Sequence, residues 1–128
     1  MRRIVISVMN GLLCEAISNT MFRTGEFLSY KSLFNKTSNV IDDCGSFGAD
    51  ICLMEVSYAA ETTLDTRLKE SLQIKRKFPE CKVIFLCDEN SAPDIARGVA
   101  QAKKDGIIDT FFYSSVTEKY LAAALTSM

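Results

Sequence analysis

Residues 51–54 read Ile-Cys-Leu-Met, a run of four apolar side chains that lies between Asp50 and Glu55. Three further runs of this kind occupy residues 4–8, 83–87 and 107–113, the last with a polar break at 109–110. Short, nearly continuous apolar runs are typical of strands that helices cover on both faces, as in a parallel sheet. A fifth, weaker strand is predicted at residues 26–30, where a mixed pattern fits a sheet edge.

The segments between these runs have helical periodicity. In two of them apolar residues recur every fourth position: Leu13, Ile17, Met21, Leu64, Leu68 and Leu72. A further helix, the fourth along the chain, is predicted from Ser91, with Asp94 completing a capping box, and the fifth over residues 117–125. A short helix is expected over 39–44, ended by Gly45. The chain thus alternates strand and helix five times, which predicts a doubly wound α/β sheet.

Length and charge narrow the classes of function. A chain of 128 residues fits one domain, predicted over residues 1–128. Fifteen basic and 16 acidic residues give a net charge of -1, which argues against direct binding of nucleic acid or of an anionic membrane. The basic run at 67–77 is interpreted as a solvated helix face. No apolar run reaches the roughly 20 residues that cross a bilayer, so a cytoplasmic location is expected.

The chain has five cysteines and no histidine. An odd number of cysteines without a C-x-x-C pair predicts reduced, mostly buried thiols rather than zinc ligands or disulfides. Catalytic sets that need histidine are excluded, and no glycine-rich phosphate loop is present. We therefore expect no enzymatic activity and no cofactor.

Functional residues of an open parallel sheet lie where its strands end, near the point at which strand order reverses. In this chain those positions are residues 8–10, 55–56, 87–89 and 113–115.

Several stretches resemble the receiver (CheY-like) domains of bacterial response regulators. Residues 2–6 and 12–17 are similar to the family's first strand and helix, 50–55 to the third strand ending at the phosphate acceptor, and 83–86 to the fourth strand. Residues 106–109 resemble the lead into the fifth strand. The resemblance covers essentially the whole chain. It implies a flavodoxin-like sheet of five parallel strands in the order 2-1-3-4-5, with helices on both faces.

The resemblance also implies a phosphorylation site that this chain lacks. The family needs an acidic pair for magnesium, an acceptor aspartate, a hydroxyl and a lysine; these positions hold Val8 and Met9, Glu55, Cys87 and Tyr113. Valine and methionine offer no hard oxygen ligand for magnesium, so phosphotransfer by the usual route is not expected. The predicted degenerate acceptor pocket consists of Val8, Met9, Asn10, Glu55, Cys87, Asp88 and Tyr113.

Two interpretations of Glu55 remain open at this point. Its carboxylate could imitate a phosphorylated aspartate, or it could be a relic of the lost site. The relic is favoured because Cys87 and Tyr113 are poor partners for a mimic, and because Thr110 stands where the family usually has a switching aromatic residue.

A cation site is an alternative for the acidic residues at the strand ends. Asp88 and Glu89 could converge with Glu55 and Asn10 as oxygen ligands. Adjacent acids before a helix more often stabilise its amino end, so no metal is predicted.

The leading hypothesis is a pseudo-receiver, a non-enzymatic regulatory domain of two-component signalling or a phosphorelay. It would act through protein partners or its own effector domain, including a homodimer through the fourth helix, fifth strand and fifth helix. The chain would suit the amino-terminal part of a longer regulator, such as a transcription factor or a localisation ATPase. Alternatives are a flavodoxin-like module that binds a small ligand and a live receiver with an unconventional acceptor such as Asp88.

Overall fold

The computed structural model describes residues 1–128, in which five strands alternate with five α-helices. The strands are β1 (Arg2–Ser7), β2 (Phe27–Lys31), β3 (Ile51–Glu55), β4 (Lys82–Cys87) and β5 (Thr110–Tyr113). The helices are α1 (Gly11–Thr24), α2 (Val40–Phe47), α3 (Leu64–Lys77), α4 (Pro93–Lys104) and α5 (Glu118–Thr126), and a 3-10 turn at Ala60–Thr62 precedes α3. All neighbouring strands are parallel, in the order β2-β1-β3-β4-β5. The predicted doubly wound sheet and its strand order are confirmed.

The apolar runs form central strands because alternate side chains enter two separate cores. On the face covered by α2, α3 and α4, the core includes Val5, Cys52, Met54, Val83 and Phe85. On the face covered by α1 and α5, it includes Ile4, Ile6, Leu53, Ile84 and Leu86. All five cysteines are buried free thiols, as predicted.

Polar side chains set the start of most helices. The N-cap side chain accepts a backbone N–H in the first turn of four helices, at Asn10, Asn39, Thr63 and Thr117. No helix in the chain is long and apolar enough to span a membrane.

The predicted capping box at the start of α4 is wrong. The helix begins at Pro93, after Ala92, without a side-chain cap. Proline suits this position because its missing N–H would have had no helical partner. The Asp94 carboxylate instead accepts a hydrogen bond from the hydroxyl of Tyr58, in the loop after β3.

The predicted end of α2 at Gly45 is also wrong, since the helix continues to Phe47 and ends at Gly48, whose φ is 70°. Gly45 lies inside the helix, directly against the ring of Phe78. A Cβ atom at Gly45 would stand 2.7 Å from Cζ of that ring. Glycine is therefore needed here for close packing rather than for ending the helix.

The last strand is shorter than predicted, because residues 107–109 form a turn and β5 begins at Thr110. The Asp109 carboxylate accepts the backbone N–H of Val83 at 2.7 Å and pairs with Lys75. These bonds hold the turn against the beginning of β4.

Two predictions for α3 are wrong. Leu72 is half exposed and does not belong to a buried stripe, and Arg67 is fully buried rather than solvated. The buried positions of the helix are Arg67, Ser71 and Ile74, at spacings of four and three. The hydrogen bonds that allow a guanidinium group to be buried here belong to the functional site described below.

Because Leu53 is buried and Leu72 is exposed, the same substitution at these two positions should lower the free energy of unfolding by different amounts. Leu53→Ala, at a fully buried site on β3, should lower the free energy of unfolding by about 2–5 kcal/mol through lost burial and a residual cavity. Leu72→Ala, on the exposed side of α3, should change it by less than about 0.5 kcal/mol. Urea denaturation of both variants measures this, and equal losses would contradict the described packing of α3.

Candidate functional site

The carboxyl ends of β1, β3 and β4 surround an open hollow of about 280 Å³. Four of the seven predicted site residues line it: Asn10, Glu55, Cys87 and Asp88. The other three lie around it, with Val8 buried in the core beneath and Met9 and Tyr113 partly exposed. The strand ends thus bring most of the predicted pocket together.

The carboxylate of Glu55 is held by the main chain of the β1–α1 loop. Its Oε1 atom accepts the backbone N–H of Met9 at 2.8 Å and that of Asn10, more weakly, at 3.4 Å. Asn10 is also the N-cap of α1, where its Oδ1 atom accepts the N–H of Leu13. The negative charge therefore lies at the amino end of α1, where the helix dipole and free N–H groups stabilise an anion.

A second connection between the same strand ends comes from Arg67, whose side chain is 1% exposed. Its Nε donates to the main-chain carbonyl of Glu55 at 2.8 Å, and one terminal nitrogen donates to the carbonyl of Ser7 at 2.8 Å. The other terminal nitrogen forms an ion pair with Glu70 at 3.1 Å. Burial of this charge is tolerable because each nitrogen has a polar partner.

The two connections lie on opposite faces of the sheet. Arg67 approaches from α3, on the side of the core that contains Met54. The Glu55 side chain lies on the same face of the sheet as Leu53, the face covered by α1, because side chains two residues apart on a strand share a face. The ends of β1 and β3 are therefore joined from both sides.

Cys87 and Tyr113 are paired across β4 and β5 at the far side of the hollow. Burial, helped by the nearby carboxylates of Glu89 and Asp88, raises the pKa of the Cys87 thiol to about 11. The thiol stays protonated at neutral pH and is a poor nucleophile. The Tyr113 ring packs edge-on against Phe111, with centroids 5.5 Å apart.

Asp88 and Glu89 are engaged with local partners. The side chain of Ser91, followed by the backbone N–H groups of Asn90 and Ser91, lowers the pKa of Asp88. Glu89 accepts a hydrogen bond from the hydroxyl of Ser115 at 2.8 Å. No three acidic or thiol side chains lie close enough to hold a metal ion together.

No model of a protein family matches the sequence, and no curated protein matches it either. Solved structures, however, match the whole architecture. The chemotaxis protein CheY4 of Vibrio cholerae is 12% identical, with a TM-score of 0.72 over 99% of this chain and 98% of that one. The chain has the receiver fold.

Two further similar structures carry the same fold. The activated receiver domain of DrrB, with bound BeF3, is 14% identical, with a TM-score of 0.66 over 99% of this chain and 96% of that one. A CheY-like protein (TadZ) of Pseudomonas aeruginosa is 9% identical, with a TM-score of 0.70 over 99% of this chain and 98% of that one. At these identities the receiver fold is what the chains share.

The sequence pattern predicted functional residues at the strand ends, but it did not predict Arg67 or the backbone amides that bind the Glu55 carboxylate. Two of the partners of Arg67 are main-chain carbonyls, which residue type does not reveal. The signals that the sequence offered were Glu70, three residues after Arg67 at ion-pair spacing, and Ser71 and Ile74 at helical spacing in a segment otherwise dominated by charged residues.

The hydrogen bonds of Glu55 predict a measurable contribution to stability. Glu55→Ala removes the acceptor of the exposed N–H groups of Met9 and Asn10, which water can then reach, and should lower the free energy of unfolding by about 0.5–1.5 kcal/mol. Glu55→Gln should cost less, because an amide oxygen can still accept. Glu15→Ala, an exposed glutamate of α1, is the matched control, and an equal effect of the two alanine variants in urea denaturation would rule out the bonded role of Glu55.

Proposed function

We propose that the chain is a pseudo-receiver, a non-enzymatic regulatory domain that acts through protein contacts and without aspartate phosphorylation. The receiver fold supports a role in signal transduction of the two-component type. The observation that carries the finer proposal is the Glu55 carboxylate, which stands at the acceptor position and is bonded to the main chain of the β1–α1 loop.

The electrostatics of the hollow support this proposal. A phosphoryl group adds nearly two negative charges, which a live receiver offsets with a metal ion and a lysine. Here the corresponding positions hold Val8, Met9 and Tyr113. The carboxylates of Glu55 and Asp88 line the same hollow, so an incoming phosphoryl group would meet repulsion.

For Glu55 we propose a structural role in place of both a phosphate mimic and a relic. Its bonds to Met9 and Asn10 join β3 to the start of α1, as a bound metal would join the acceptor to an acidic pair. The domain would then keep one arrangement of these strand ends without any phosphoryl donor.

The partner surface that we propose is formed by α4, β5 and α5. Tyr120 is 64% exposed on α5, and its ring lies edge-on to the ring of Phe112, with the ring centroids 6.4 Å apart. Partly exposed Tyr113 lies on the other face of β5, where its ring packs against Phe111 on the side of α4. Exposed aromatic residues are favoured at protein interfaces. A protein partner, an effector domain of the same polypeptide or a second copy of the chain would bind here, and we assign no direct contact with nucleic acid or membrane.

The setting that we propose is cytoplasmic, because five unpaired thiols suit a reducing compartment. The domain would form part of a longer regulator, such as a transcription factor or a localisation ATPase. A putative pilus assembly protein (CpaE) of Burkholderia thailandensis is 10% identical, with a TM-score of 0.70 over 99% of this chain and 97% of that one, so pilus assembly is a further setting worth testing.

Phosphorylation is the direct test of the pseudo-receiver. Incubation with acetyl phosphate and magnesium should leave the intact mass unchanged, because the site lacks metal ligands. Glu55→Asp, which restores the residue type of the acceptor, should also remain unmodified, since Val8 and Met9 are retained.

A live receiver with the complete acidic pair, treated in parallel, shows that the phosphoryl donor is active. A phosphoryl adduct on the unaltered chain would overturn the proposal. An adduct only on Glu55→Asp would show that the acceptor, rather than the metal site, limits the chemistry.

The partner surface predicts that self-association depends on α5. Tyr120→Ala should weaken dimerisation by about tenfold or more, because it removes a large exposed aromatic contact. Phe22→Ala, at an aromatic residue of α1 that is 81% exposed, is the matched control and should leave it unchanged. Sedimentation velocity over a concentration series measures both, and a monomer at every concentration would exclude the homodimer.

A further inference from the structure

A polar cleft lies away from the Glu55 carboxylate, on the α2 and α3 side of the sheet. It has a volume of about 400 Å³ and opens between the β2–α2 loop and the beginning of α3. Only three of its 12 lining residues are hydrophobic. Such a lining suits a small, strongly polar ligand rather than an apolar one.

One wall of the cleft is held rigidly by the buried guanidinium of Arg67. Three of its nitrogens are fixed by Glu55, Ser7 and Glu70, and the ring of Phe34 lies over it at 5.7 Å. An arginine has five N–H groups, so two of those on Arg67 remain for further acceptors. The wall is therefore formed in advance and costs little to order when a ligand binds.

Two exposed, oppositely charged side chains line the cleft from different elements of the fold. Lys36 comes from the β2–α2 loop and Glu61 from the 3-10 turn before α3, and both side chains are exposed. Neither takes part in an ion pair of the structure. Deeper in the cleft, Arg67 and Glu70 neutralise one another. The lining therefore favours neither a polyanion nor a polycation.

We propose that this cleft binds a small zwitterion, a free α-amino acid, with its carboxylate towards Lys36 and its ammonium group towards Glu61. The hydroxyl of Ser38 and the amide nitrogens of Asn35 and Asn39, whose Oδ1 atoms already accept local hydrogen bonds, line the same cleft and supply neutral donors for the ligand. This inference does not depend on the pseudo-receiver proposal, since the cleft and the strand-end hollow are separate.

Titration of the ¹⁵N-labelled protein with each standard L-α-amino acid tests the proposal. At least one should move the amide resonances of Ser38, Asn39 and Glu61 in a saturable manner. The matching amine without the carboxylate, and the matching acid without the ammonium group, should each bind at least about tenfold more weakly, because each has lost a charge-assisted contact.

Two exposed variants test the charges without disturbing the core. Lys36→Gln and Glu61→Gln should each weaken binding of the amino acid by about tenfold. Lys119→Gln, at an exposed residue of α5, should not change it. The proposal is overturned if no amino acid moves the cleft amides at concentrations up to about 10 mM. It is equally overturned if the singly charged analogues bind as well, or if the two cleft variants bind as the control does.

Discussion

The ends of β1 and β3 are joined on both faces of the sheet by bonds from side chains to the main chain. On one face the Glu55 carboxylate accepts the N–H of Met9, and on the other Arg67 donates to the carbonyls of Ser7 and Glu55. A guanidinium group inside a protein is costly unless it is well partnered, so α3 must hold Arg67 in this position. The β1–α1 loop, the start of α1 and the packing of α3 all depend on these contacts.

These contacts also decide what the strand ends can do. A live receiver, as the family resemblance implies, joins the same strand ends through a metal ion and changes state when a phosphoryl group arrives. In this chain Glu55 and Arg67 connect the strand ends directly, and we propose that this connection needs neither a metal ion nor a phosphoryl group. Regulation would then come from surfaces outside the hollow, such as the aromatic face of β5 and α5 or the polar cleft beside α3.

Residue patterns were sufficient for the architecture but not for the contacts that shape the site. The run at 51–54 predicted a buried strand because its side chains enter both cores. Arg67 could not be placed, because two of its partners are main-chain carbonyls that any residue type supplies, and its spacing from Glu70 does not by itself indicate burial. Gly45 was misread because the ring of Phe78, which demands the glycine, comes much later in the chain. Asp94 was misread in the same way, since Tyr58 reaches it from another loop.

If the chain is a pseudo-receiver, as we propose, the Glu55 carboxylate permanently occupies the place of a metal-linked acceptor. A structure determined from crystals grown with magnesium and beryllium trifluoride is the direct test of this role of Glu55. We expect Glu55 still to accept the Met9 N–H and no density for metal or fluoride to appear in the hollow. Density for magnesium and a beryllofluoride group on Glu55 or Asp88, with the Met9 bond broken, would contradict it.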